Sequence, residues 1–230
     1  MVLILTVHVS VTVFFKSLAT TLRLEVEVVI NTPSGPKLGS RVYNLKYQHN
    51  LGLVPAGLGG GITKEMEGEA LSIEVLPGEF LFVLIGLSNH PGAWVHHAFS
   101  GPEFRADFSD YRKHGWIRAV TRSRGPDSGR RDWIKAVGRS RGWYTLPKEN
   151  YPKFYAFRDL SIPRSLHEIG PEDIPLIFGP DFSVDLFRIR TTKRPVTFGQ
   201  IEKILPWLTR SFSGIPRSPI NDPDFIRRNN

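Results

Sequence analysis

"LRLEVEVVI", Leu22 to Ile30, is the stretch that most narrows what this chain can fold into. Leu22, Leu24, Val26 and Val28 alternate with Arg23, Glu25 and Glu27, so an extended backbone puts apolar side chains on one side and charges on the other. Such a segment is a half-buried strand, and it needs a sheet around it. "NTPSGPKLG" supplies turn residues directly behind it, and "SRVYNLKY" reads as the returning strand.

A second hairpin is expected further on. Glu69 to Val75 leads through Pro77-Gly78 into Phe80 to Leu87. The far arm, "FLFVLIGL", is apolar on both faces, which suits a strand packed between two layers. Between the hairpins, "GLVPAGLGGGITKE" from Gly52 to Glu65 is too rich in glycine for the interior of an element and reads as a loop. Order returns at "YPKFYAFRDL". A short helix is expected to open at Gly170-Pro171-Glu172-Asp173 and to end at Gly179-Pro180. Phe182 to Ile189 alternates as a strand, and Phe198 to Leu208 spaces Ile201, Ile204, Leu205 and Leu208 as a closing helix. Strands outnumber helices. The fold class expected is α+β and β-dominated, with two amino-terminal hairpins, a later strand and short packing helices.

Three segments stand outside this pattern. The first is "VLILTVHVSVTVFF", Val2 to Phe15, whose polar members are Thr6, His8, Ser10 and Thr12. As a helix it spans about 21 Å against the roughly 30 Å of a hydrocarbon layer; adding Ser17, Leu18 and Ala19 makes a marginal span. Residues 1–19 are therefore read as a membrane anchor or signal-like segment, with a β-strand as the alternative, because Leu5, Val7, Val9, Val11 and Val13 also alternate. No basic stretch precedes it and no small-x-small cleavage site follows. The domain proper is expected over 20–208, and 209–230, rich in Pro, Asn and Arg, as a loose tail.

The remaining segment, 88–146, loses periodicity and reads as an insert. It holds a duplication: "HGWIRAVTRSRG" (His114 to Gly125) and "RDWIKAVGRSRG" (Arg131 to Gly142) share eight of twelve positions. From Arg112 to Lys153 there are twelve Lys or Arg against three acids, a local excess that accounts for the formal charge of +8. Trp116 and Trp133 lead the copies, and Arg118, Arg122, Arg124, Arg139 and Arg141 follow them. Guanidinium pairs with phosphate and indole stacks on bases, so these seven residues are the candidate polyanion-binding set, for nucleic acid or for anionic lipid beside an anchor. Duplication of a peripheral peptide explains the same pattern without a ligand.

Other constellations are weaker. His90, His96, His97 and His114, with Asp107 and Asp110, could offer imidazole and carboxylate to a metal, but adjacent histidines point apart and no H-E-x-x-H pattern is present. "GLGGG", Gly57 to Gly61, lacks the ending of a phosphate loop. Ser161, Ser165 and His167 lie near Asp159, yet no Gly-x-Ser-x-Gly elbow holds a serine. Glu172 and Asp173 are explained by the favourable end of a helix dipole, and Phe198 and Trp207 as core. The chain has no cysteine, which removes disulfides and thiol chemistry.

"LRLEVEVVINTPSGPKLGS", "GEALSIEVLPGEFLFVLIG" and "PEDIPLIFGPDFSVDLFRIRTTKRPVTFGQIEKILPWL" together resemble a group of uncharacterised bacterial proteins. Members carry a hydrophobic start, two early hairpins and a carboxy-terminal run matching Phe178-Gly179-Pro180 and Leu205-Pro206-Trp207-Leu208. They are shorter across the middle, which implies that a function shared by the group lies outside the duplication. The resemblance brings no activity, ligand or catalytic residue. The expected function is that of a non-enzymatic, membrane-associated structural or interaction protein without a cofactor. Polyanion binding through 112–153 is one alternative, and a metal-dependent hydrolase using the histidine cluster is the other.

Overall fold

The computed structural model describes residues 19–49, 62–85, 91–101, 104, 128–209 and 225–227. The expected class holds: two antiparallel sheets dominate, with short helices packed on them. Strands β1 (Ala19–Asn31), β2 (Lys37–His49) and β3 (Ile62–Glu69) form a meander. β9 (Ser183–Thr191) pairs with the other side of β1. Two-residue strands flank the sheet, β6 (Tyr144–Thr145) beside β9 and β10 (Ile226–Arg227) beside β3, so the order is β10-β3-β2-β1-β9-β6. The second sheet is β4 (Leu71–Leu76), β5 (Glu79–Val83), β7 (Phe154–Phe157) and β8 (Leu166–Ile169), in that order.

The chain changes sheets at Ala70, between β3 and β4. Such a corner brings backbones close, and glycines permit it. A Cβ on Gly39 of β2 would lie 2.4 Å from Ile73 Cγ1 of β4. A Cβ on Gly68 would lie 2.5 Å from the Tyr43 ring, and Gly68 also takes a φ of 151° that side chains disfavour.

Leu22, Leu24, Val26, Val28 and Ile30 of β1 are all buried, as the alternation predicts. Each contributes about 1.5–3 kcal/mol of transfer free energy. They face Leu71, Ile73, Val75, Leu81, Val83 and Phe154 across the gap between the sheets. β5 is apolar on both faces because both are covered: Leu81, Val83 and Ile85 enter this main core, while Phe82 and Leu84 enter a second one. The second core is closed by Ile201, Leu205 and Phe225.

Several expectations need correction. Ile62 to Glu65, read as loop, begins β3; its glycine-rich neighbours obscured a strand whose partner is β2. Ser88 to Leu146 is no peripheral excursion where it is described. Helix α1 (Pro91–Ala98) and helix α2 (Ser128–Arg139) insert Trp94, Val95, Ile134 and Val137 into the main core, and Phe99, Phe104 and Leu146 join them. The helix expected to open at Gly170 starts as a 3-10 turn, Pro171–Asp173, and continues as α3 (Ile174–Phe178), ending at Gly179. The closing helix is broken into α4 (Ile201–Ile204) and a 3-10 turn, Pro206–Thr209, because Pro206 has no N–H to continue the ladder. β8 had no expected counterpart. The carboxy-terminal stretch is not loose throughout: Phe225 is fully buried and Ile226–Arg227 pairs with β3, since an aromatic side chain there repays the ordering of three residues.

Candidate functional site

The face of the six-stranded sheet turned away from the main core carries an ionic ladder. Register sets it: Glu25 lies opposite Arg190, and Glu27 opposite Arg188, across β1 and β9. Arg188 donates from Nε and Nη2 to Glu27 Oε2 at 2.8 and 2.6 Å. Arg190 reaches Glu25 Oε2 at 2.9 Å, and Arg194, beyond the end of β9, pairs with Glu25 Oε1. The Glu25 side chain is 1% exposed, so two guanidinium groups balance a charge withdrawn from water. Trp143, one residue ahead of β6, lies under both Arg188 and Arg190, each guanidinium carbon 4.3 Å from the ring centroid.

At the end of this sheet where β1 begins, further cations gather. Arg23 donates to Asn44 Oδ1 at 3.2 Å and to the Lys193 carbonyl at 3.1 Å. Arg141 donates to the Gly138 and Ser140 carbonyls and to Thr191 Oγ1 at 3.4 Å, and Thr191 in turn donates to the Ser140 carbonyl. These bonds pin the end of α2 to the end of β9. Arg139, Lys193 and Arg194 are exposed around them.

The sequence-derived polyanion set is split by this arrangement. Trp116, Arg118, Arg122 and Arg124 lie outside the described residues. Trp133 is half-buried; its indole N–H donates to the Phe99 carbonyl at 3.1 Å, its ring stacks on His96 at 4.4 Å and meets Tyr47 edge-on. It serves packing. Arg139 and Arg141 reach the surface. Sequence reasoning missed Trp143, Arg188, Arg190 and Glu25. The signal was present in two alternating charged faces, Arg23-Glu25-Glu27 and Arg188-Arg190, whose signs are complementary.

The remaining candidates separate. His96 and His97 share α1, with His96 against Trp133 and His97 exposed, while His90, Asp107, Asp110 and His114 lie outside the described residues. Among the described residues no group of three His, Asp or Glu side chains is placed to hold a metal. Gly57 to Gly61 also lies outside them. Asp159, Ser161 and Ser165 build the turn between β7 and β8. Asp159 Oδ1 accepts from the Ser161 hydroxyl at 2.7 Å and its backbone N–H at 2.8 Å, which holds its carboxyl below the ordinary range. Ser165 Oγ donates to the Asp159 and Ile162 carbonyls, so the hydroxyl is committed to loop closure rather than to His167. Asp173 accepts from the Gly170 N–H at 3.2 Å, a capping role.

One further buried carboxylate is structural. Glu69, at the sheet corner, accepts from the Gln200 and Ile201 N–H groups at the start of α4 and lies 3.4 Å from Arg41 Nε.

The leading segment 2–15 lies outside the described residues, and among those described no helix is long and apolar enough to cross a membrane. Compared with family models, curated proteins and solved structures, the chain gives no match.

Proposed function

We propose that this protein is a membrane-associated interaction module that rests the cationic end of its six-stranded sheet on an anionic lipid surface. The observation that carries the reading is where the apolar segments attach. The uncharged run 2–15 leads to Ala19, the first residue of β1, and Ala19 pairs with Gln48 near the end of β2. Gln48 pairs in turn with Thr63, so the connection 50–61 also leaves and returns at this end, and its residues carry no charge. Around the same end stand Arg23, Arg139, Arg141, Lys193 and Arg194. Apolar segments framed by Lys and Arg are what a lipid interface selects, the apolar part entering and each cation adding about 1 kcal/mol of attraction to anionic headgroups. The resemblance to the bacterial group with a hydrophobic start points the same way and brings no catalysis with it.

Co-sedimentation of the full chain with vesicles tests this reading. Binding to phosphatidylserine-containing vesicles is expected to exceed binding to phosphatidylcholine vesicles and to weaken with added salt, because the Debye length shrinks from about 10 Å at low salt to about 3 Å at high salt. Salt-sensitive retention on duplex DNA together with indifference to anionic vesicles would shift the assignment to nucleic acid.

A further inference from the structure

The three carboxy-terminal residues that return to the fold do so as a docked peptide would. Phe225 enters an aromatic pocket between Phe82, Phe157 and Trp207, with ring centroids 6.1, 6.0 and 6.0 Å away. The pocket walls come from β5, β7 and the 3-10 turn at Pro206–Thr209, and Trp207 is held by its indole bond to the Leu160 carbonyl at 2.7 Å. The backbone is captured as well. Ala70 N–H donates to the Phe225 carbonyl at 2.7 Å, and Ile226 and Arg227 pair antiparallel with Glu69 and Gly68 on the edge of β3. A main-chain ladder along a sheet edge plus one aromatic anchor in a pocket is the chemistry of strand addition.

We propose that this edge and pocket form a binding groove for an extended peptide with an aromatic anchor, filled in cis by the chain's own carboxy-terminal segment and open to the same segment from a second copy. Among the described residues the ladder comprises two residue pairs, Ile226 with Glu69 and Arg227 with Gly68. Fifteen residues, 210–224, separate the 3-10 turn from Phe225. Belonging to the same chain gives the cis segment an effective concentration on the order of millimolar over a free peptide. An identical segment on a neighbour has the same anchor and the same ladder, so exchange makes a swapped dimer at high protein concentration.

The test uses a fluorescently labelled peptide of residues 221–230, its counterpart with the anchor Phe replaced by Ala, the full chain, and the full-length Phe225→Ala variant. The peptide is expected to bind Phe225→Ala saturably and to bind the wild-type chain at least about tenfold more weakly, because the tethered segment competes. The Ala peptide is expected to bind neither. The wild-type chain is expected to form a dimer that grows with concentration and that Phe225→Ala lacks. Equal peptide binding to both proteins, or to neither, overturns the groove, and a wild-type chain that stays monomeric overturns the second-copy assignment. A chain ending at Pro223 repeats the test if Phe225→Ala does not fold. Loss of the fold in both variants also overturns the proposal, since an exchangeable occupant is not part of the folding core.

Discussion

At the scale of single residues, Glu25 concentrates the energetics of the charged face. Its carboxylate is withdrawn from water and held by Arg190 and Arg194, so removing the negative charge strands two guanidinium groups against each other. Glu25→Gln is expected to lower unfolding free energy by about 1.5–3 kcal/mol in urea titration, since Arg190 and Arg194 keep contact with water, with Glu27→Gln costing less because its own side chain is less withdrawn from water. Tyr43 gives a second test. Burial pushes its phenol above the ordinary value of 10.0, with Glu69 adding to the rise and Arg41 opposing it. A raised folded value means that the native state holds its proton more tightly than the unfolded chain does. Stability is therefore intact below pH 10.0 and falls above it, by up to about 1.4 kcal/mol per pH unit. Urea midpoints measured across the alkaline range should show this fall in the wild type and a flatter profile in Tyr43→Phe. The charge pattern around Glu25 was legible in the sequence, but its partners were not: Arg190 is 165 residues away, and no local period reports a pairing at that distance.

Among the elements, α2 shows most clearly how a correct local pattern was given the wrong weight. Ile134 and Val137 sit three apart in the second copy of the duplication, as an apolar helix face requires, and both are buried. The density of arginine around them suggested a surface peptide. Basic side chains and a core-facing stripe are compatible on one helix, because the charges occupy the opposite side. Ile134→Ala is expected to cost about 2–5 kcal/mol, and Arg139→Gln to stay within about 0.5 kcal/mol, in matched thermal or urea unfolding. The reverse order would return the second copy to the surface. β1, β2 and β9 were legible because each alternates with one face buried. β3 and β8 were not. β3 is flanked by glycines that argue for a loop, and Leu166–Ile169 has four residues, too few to display a period.

For the whole molecule, the two-layer plan followed from an apolar-both-sides strand placed between alternating ones. β5 does lie between two cores, one shared with the six-stranded sheet and one closed by the carboxy-terminal elements. What local patterns could not convey was which end of the sheet collects charge, since Arg23, Arg139, Arg141, Lys193 and Arg194 come from three separate stretches of chain. That end is also where the apolar leading segment and the uncharged 50–61 connection join the sheet. Arg139 and Lys193 are exposed there, and neither belongs to the Glu25 network, so their charges can be reversed without disturbing it. The decisive measurement is vesicle co-sedimentation of the full-length double variant Arg139→Glu/Lys193→Glu beside the wild type, with circular dichroism confirming that both are folded. A membrane-facing cationic end predicts that the preference for phosphatidylserine vesicles over phosphatidylcholine vesicles falls at least about tenfold, in line with about 1 kcal/mol lost per cation and repulsion from the new carboxylates. An unchanged preference in a folded variant would contradict the assignment of that end to the lipid surface.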